Sequence, residues 1–207
     1  MTDLWSLVAT ERGALADDLA DLTAAQWVSP SLCSGWTVRH VVAHLTAAAS
    51  TGPGALFGQF AKARFNFDAY ANAGLARRLG ADTEATLAGF RAVQGSRSSP
   101  PGPKATWLGE VVVHAEDIRR PLGITHTYDQ DALREVADFY KGSNILIGAK
   151  NRIAGLTLEA TDQDWSTGTG PAVKGPLLSL VMAMTGRKSH VEDLTGEGVT
   201  TLRSRCT

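Results

Sequence analysis

The sequence predicts a mainly α fold, with a helical bundle over residues 1–150 and a small α+β module over residues 151–207. Through the first 150 residues, apolar side chains recur at the three-and-four spacing of helical faces. After residue 150 the pattern changes to short alternating segments separated by glycine and proline. A chain of 207 residues is long enough for one main core with a small appendage.

Two helices are predicted in the first fifty residues. The first is expected to be capped by Thr2 and carries an apolar face formed by Leu4, Leu7, Val8, Leu15, Leu19 and Leu22. A short turn containing Trp27 and a break at Pro30 follow it. Thr37 is expected to cap the second helix, 38–49, which presents Val38, Val41, Val42 and Leu45 on one side.

The rest of the predicted bundle is Ala-rich. Segments 55–79 and 83–97 are expected to be helical, with a break near Gly80, and the prolines at 100–103 force an extended connection. A further helix is expected over 107–120, ended by Pro121 and a glycine. The last long helix is predicted over 130–147.

Three short strands and one helix are predicted in the C-terminal module. The strands are expected at 156–161, 165–168 and 199–202, and the helix at 177–185. A unit of this size is marginally stable alone, so we expect it to pack against the bundle.

Composition excludes several classes of function. The chain has 20 basic and 21 acidic side chains, so it lacks the basic excess typical of nucleic-acid binding. Its longest apolar stretch is far shorter than the ~20 residues that cross a bilayer. The N-terminus does not resemble a secretion signal, and two distant cysteines form no disulfide framework. We therefore expect a cytoplasmic protein, without a membrane or nucleic-acid partner.

Histidines on two predicted helices are the main candidates for chemistry. His40 and His44 are four residues apart on the second helix, and His44 lies beside the apolar positions of that helix. Glu110 and His114 have the same spacing on the later helix, so both side chains reach a common point. A carboxylate among valines is costly to bury unless it is paired or coordinated.

These residues predict a three-ligand site for a divalent cation, formed by His44, Glu110 and His114. Imidazoles and a carboxylate suit zinc, with nickel or iron as alternatives. Three protein ligands leave one position open, which is the arrangement of catalytic sites. The purely structural alternative is that both histidines are packing residues of the core.

Other polar residues have two interpretations each. Asp117 is placed to accept the second N–H of the His114 ring, or to pair with Arg39 or Arg120. His40 is interpreted as a surface residue or as a group that supports the metal ligands. The sequence favours no role for Cys33, although a thiol near a helix start can be a nucleophile. The two remaining histidines, His126 and His190, are expected to be solvated.

Two motifs together resemble the mycothiol-dependent maleylpyruvate isomerase family, within the DinB-like superfamily of metal-binding four-helix bundles. They are CSGWTVRHVVAHL at 33–45 and GEVVVHAEDIR at 109–119. The tail GLTLEATDQDW at 155–165, with Gly175-Pro176 and Thr185-Gly186-Arg187, is similar to the C-terminal module attached to such bundles. The resemblance covers nearly the whole chain and implies a DinB-like four-helix bundle with a small α+β module.

The resemblance also implies a chemistry. In this family zinc is held by residues that correspond to His44, Glu110 and His114, and mycothiol is the thiol co-substrate. The implied activity is isomerisation or S-transfer with a small electrophile, and Arg187 is the implied contact to an anionic substrate. Because Glu110 is then a ligand, proton transfer falls to His40, to Asp117 or to bound hydroxide.

One alternative function remains open at this stage. A bundle of this kind could hold a metal ion or small ligand without turnover, because folds persist while functions change. The sequence also leaves the oligomeric state open between monomer and homodimer.

Overall fold

The computed structural model describes residues 3–52, 74–99, 102–144 and 147–206. The chain forms two compact units, Met1–His126 and Thr127–Thr207. This division falls before the expected boundary at residue 150, because the helix that begins at residue 130 packs within the second unit. None of the described helices is both long and apolar enough to cross a membrane.

The described part of the first unit is helical. Its elements are α1 (Leu4–Ala20), α2 (Ala24–Trp27), α3 (Val38–Ser50), α4 (Thr83–Arg91) and α5 (Lys104–Leu122). Residues 74–78 are helical as well. Helices α1 and α3 both pack against α4 and α5. The core between them consists of aliphatic side chains, among them Leu15, Leu19, Val41, Val42, Leu108 and Ile118.

Local side-chain chemistry sets the limits of the helices that carry the site. Thr37 caps α3, because its hydroxyl accepts the His40 N–H while its own N–H donates to the His40 ring. Helix α5 ends at Gly123, whose φ of 67° is left-handed and favours glycine. Pro121 lies inside the last turn of α5, so this helix extends past the expected end at residue 120.

Several predicted helix limits differ from the structure. Thr2 and most of segment 55–79 lie outside the described residues, and Asp3 occupies the N-cap of α1 without a side-chain capping bond. Helix α4 ends at Arg91, and turns replace the predicted helix over 92–95. The helix expected over 130–147 ends at Gly142, followed by extended backbone at Ser143.

The second unit contains the predicted small sheet. Its elements are α6 (Gln130–Gly142), α7 (Ala149–Arg152), β1 (Thr157–Ala160), β2 (Ser166–Gly168), β3 (Ala172–Gly175), α8 (Leu177–Met184), a 3-10 helix (Lys188–Asp193) and α9 (Val199–Ser204). The strand order is β2-β1-β3, with β1 antiparallel to β2 and parallel to β3. Helix α8 packs against α6 and the sheet. A mainly α fold with a small α+β module is therefore confirmed.

The predicted strand at 199–202 is wrong, because these residues form α9. The β-branched residues there favour a strand, but Gly198 accepts the Leu202 N–H and begins a helical turn that buries Leu202. The third strand is instead β3, four residues between two Gly-Pro breaks.

Candidate metal centre

Helices α3 and α5 bring His44, Glu110 and His114 together. Nε2 of His44 is 2.8 Å from Oε1 of Glu110, and Nε2 of His114 is 4.0 Å from the same oxygen. The two imidazole rings are nearly perpendicular, with centroids 4.8 Å apart. One ligand atom from each residue lies within 4.8 Å of the other two. The spacing of four residues on α5 thus places both of its candidate ligands opposite the single candidate ligand of α3.

The donor set fits a divalent cation. Tetrahedral zinc with bonds of about 2.0–2.1 Å places its ligand atoms about 3.3 Å apart. This separation lies between the two observed nitrogen–oxygen distances of 2.8 and 4.0 Å. All three side chains are partly exposed, at 22%, 23% and 14% for His44, Glu110 and His114, so the ligands border solvent on one side. A fourth ligand from solution could therefore reach a cation held by these three side chains.

The charges around His44 favour its protonated form when no cation is present. Burial lowers the pKa of His44, but the hydrogen bond to Glu110 and the negative charges of Glu110 and Asp117 outweigh burial and raise it. A cation bound here would take the place of that proton between the imidazole and the carboxylate.

Asp117 holds the ring of His114 from the other side. Its Oδ2 atom is 2.8 Å from Nδ1 of His114, and its side chain is wholly buried. Arg39, an alternative partner in the sequence analysis, instead donates to Thr86 and to carbonyls of residues 79 and 80. A carboxylate behind a ligating imidazole fixes the tautomer and the ring orientation. Nε2 of His114 is thereby left to face Glu110.

Asp117→Asn is expected to weaken zinc binding about 10–100-fold, because the amide no longer fixes the His114 tautomer as a buried carboxylate does. Competition with a chromophoric chelator measures the affinity. Asp17→Asn, an exposed change on α1, is the matched control. A change of affinity no larger than that of the control would contradict this role of Asp117.

Cys33 also lies at the centre, which the sequence analysis missed. Its Sγ atom is 3.1 Å from Oδ2 of Asp117 and 3.6 Å from Nδ1 of His114. The loop is anchored there because the Leu32 N–H donates to the carbonyl of Asp117. The only sequence signal for this contact is the position of Cys33 at the start of the first motif.

Trp36 lies beside His44, and His40 takes part in the cap of the same helix. The Trp36 ring is 5.1 Å from the His44 ring, centroid to centroid, and is tilted by 52°. His40 lies one turn before His44, and its Nδ1 accepts the Thr37 N–H within the capping box. The proton of a neutral His40 ring is therefore on Nε2.

The remaining candidates lie elsewhere. Arg187 belongs to the second unit, where its guanidinium donates to the carbonyl of Thr185. His126 is 2.9 Å from the buried carboxylate of Glu11 and is not simply solvated. The expectation of a solvated His190 is wrong: this residue is 1% exposed within the 3-10 helix, because that helix packs on α8.

Comparison with known proteins identifies relatives of this fold. Two solved structures match with a TM-score of 0.64 over 94% of this chain and 91% of theirs. They are a mycothiol-dependent maleylpyruvate isomerase, at 19% identity, and its histidine-to-alanine mutant, at 18%. This likeness confirms the DinB-like fold.

No curated protein matches the sequence. The sequence model of a protein family, the mycothiol maleylpyruvate isomerase N-terminal domain, matches residues 8–119. This range is more than half of the chain and contains all three candidate metal ligands. The chain therefore belongs to the mycothiol maleylpyruvate isomerase N-terminal domain family.

Proposed function

We propose that the protein is a metal-dependent enzyme that uses mycothiol, or a thiol of the same class, to isomerise or S-conjugate a small electrophile. The convergence of His44, Glu110 and His114 at a partly exposed point carries this proposal. Membership of the family, and the names of the solved relatives, supply the thiol and the class of reaction.

The three convergent residues would hold the cation, with zinc the first choice and nickel or iron as alternatives. Coordination by such a cation favours the thiolate form of a bound thiol, which in free solution has a pKa of about 8.5 and is only a few per cent ionised at neutral pH. The reaction then needs an electrophile held beside the sulfur.

The chain's own residues keep the ligands in place. Asp117 fixes the tautomer of His114, and the ring of Trp36 lies against His44 and restricts its rotation. The assignment of Arg187 to an anionic group of the substrate rests on the family resemblance alone, and a guanidinium can form paired hydrogen bonds to a carboxylate.

We assign proton transfer to His40, and His40→Gln tests this assignment. Glutamine at this position still accepts the Thr37 N–H, so α3 stays capped, but it cannot carry a proton at neutral pH. Turnover is expected to fall about 100-fold while the melting temperature stays unchanged. If His40→Gln keeps full turnover, His40 serves only as a cap.

Elemental analysis of protein purified without a histidine tag tests the centre itself. We expect about one equivalent of metal per chain, lost in His44→Ala. Assays with mycothiol and either maleylpyruvate or monochlorobimane should then show metal-dependent consumption of the thiol. Stoichiometric binding of metal and thiol with no turnover of any acceptor would instead mean a binding module and would contradict the proposal.

Metal binding is expected to stabilise the protein more as pH rises. The raised pKa of His44 means that its pairing with Glu110 stabilises the metal-free chain below the ordinary imidazole pKa and is lost as pH rises through the raised value. The cation needs neutral His44, so protons compete with it at low pH. The zinc-induced shift in melting temperature should therefore be larger at about pH 8 than at about pH 6. An equal shift at both values would contradict this linkage.

A further inference from the structure

A second group of ligand atoms lies against the metal centre on the far side of His114. Sγ of Cys33, Oδ2 of Asp117 and Nδ1 of His114 are separated by 3.1, 2.8 and 3.6 Å. We propose that these three atoms form a second site for a thiophilic divalent cation such as cadmium. This second site shares the His114 ring with the first site. The second site would exist even if the first bound no metal.

The distances need little adjustment to accept an ion. With a zinc–sulfur bond of about 2.3 Å and zinc–oxygen or zinc–nitrogen bonds of about 2.0–2.1 Å, a tetrahedron separates sulfur from the other two atoms by about 3.5 Å and those two by about 3.3 Å. The cysteine–histidine separation of 3.6 Å already agrees. Asp117 would have to move by about half an ångström relative to its two partners.

The loop that carries the thiol is held in place by backbone hydrogen bonds. Leu32 donates to the Asp117 carbonyl over 3.0 Å, and the Trp36 N–H donates to the Cys33 carbonyl over 2.9 Å. The Cys33 N–H donates to the hydroxyl of Ser31 over 3.2 Å. A preformed loop lowers the entropic cost of bringing the sulfur to the ion.

The charges and the ligand types favour a soft cation. A thiolate and a carboxylate together balance the double positive charge of the ion, and the Asp117 side chain is wholly buried, so solvent screens the attraction little. Thiolate selects zinc or cadmium over magnesium, calcium and manganese. The first site has no sulfur, and this difference makes the two sites distinguishable by spectroscopy.

The shared ring couples the two sites. A neutral imidazole has one protonated and one unprotonated nitrogen. An ion bound to Nε2 of His114 therefore leaves the proton on Nδ1, which donates it in a hydrogen bond to Asp117. An ion entering the second site alone displaces the Cys33 thiol proton, and His114 takes the tautomer protonated at Nε2. If both sites fill, the Nδ1 proton also leaves to solvent and the ring bridges the ions as imidazolate. The sites therefore compete.

Cadmium titration followed by ultraviolet absorption tests the second site, because a thiolate–cadmium bond has a charge-transfer band that imidazole and carboxylate ligands lack. The wild-type protein is expected to show this band, and Cys33→Ser is expected to lose it. Serine keeps the size and the hydrogen-bond donor, so the variant should fold. Cys206→Ser is the matched control, since that cysteine is 8% exposed in the other unit and bonds the Ala183 carbonyl.

Glu110→Gln separates this proposal from the proposed function. It removes the carboxylate of the first site only, so the band should persist and appear at a lower cadmium concentration, because His114 is no longer shared. Absence of the band from the wild-type protein at saturating cadmium would overturn the proposal, as would its survival in Cys33→Ser. A band lost in Cys33→Ser would support the second site even where the first binds no metal.

Discussion

Glu110→Gln is expected to weaken zinc binding by more than about 100-fold, beyond the ~10–100-fold typical of residues that only support a ligand. Glu110 is the one carboxylate among the three candidate ligands, and its Oε1 atom lies 2.8 Å from Nε2 of His44 and 4.0 Å from Nε2 of His114. Glutamine has nearly the same shape, so the variant removes the negative charge and leaves the packing of α5 unchanged. Its uncharged amide oxygen is a much poorer zinc ligand.

The affinity is measured by competition with a chelator and the thiol reaction by consumption of mycothiol. Glu84→Gln, an exposed change in the first turn of α4, makes the same chemical substitution away from the centre and should leave both unchanged. Equal zinc affinity in the Glu110 and Glu84 variants would remove Glu110 from the ligand set and with it the proposed mechanism.

The same substitution has a spectroscopic consequence in the metal-free protein. Glu110 raises the pKa of His44 against the opposing effect of burial. Without the carboxylate charge, burial dominates, so the pKa of His44 should fall. Titration of the imidazole by NMR measures it, and an unchanged pKa would mean that the two side chains do not interact in solution.

The helices that carry the site were predictable because their signals are local. A capping threonine and an apolar face define α3, and a spacing of four residues places Glu110 and His114 on one side of α5. Such signals act within one or two turns of chain. The sequence alone therefore predicted which residues converge, although their distances required the packing of α3 against α5.

Contacts between distant parts of the chain were not predictable from these signals. The proximity of Cys33 to Asp117 joins residues 84 positions apart through a loop, and no periodicity reports such a contact. The burial of His190 and the helical state of α9 have the same origin, because the packing of short segments in the second unit overrides their local preferences.

Disruption of the ion pair between Asp18 of α1 and Arg119 of α5 is expected to destabilise the first unit. Two nitrogens of Arg119 lie 2.7 Å from Oδ2 of Asp18, and the Arg119 side chain is wholly buried. Arg119 follows Asp117 by two residues on α5, which carries two of the three candidate metal ligands. The ion pair therefore connects this helix to its neighbour α1. Removing the carboxylate takes one negatively charged partner away from a guanidinium that is wholly buried.

Asp18→Asn is expected to lower the free energy of unfolding by about 2–4 kcal/mol, slightly below the ~3–5 kcal/mol of a pair in which both members are fully buried, since the Asp18 side chain is 25% exposed. Asp3→Asn breaks an ion pair with Arg97 whose side chains are 41% and 68% exposed, and should cost less than about 1 kcal/mol. Urea unfolding measures both. Asp18 pairs with Arg119 and is not one of the three candidate ligands, so the zinc affinity of the folded Asp18 variant should stay close to that of the wild type. Equal costs for the two substitutions would show that burial does not strengthen the Arg119 pair.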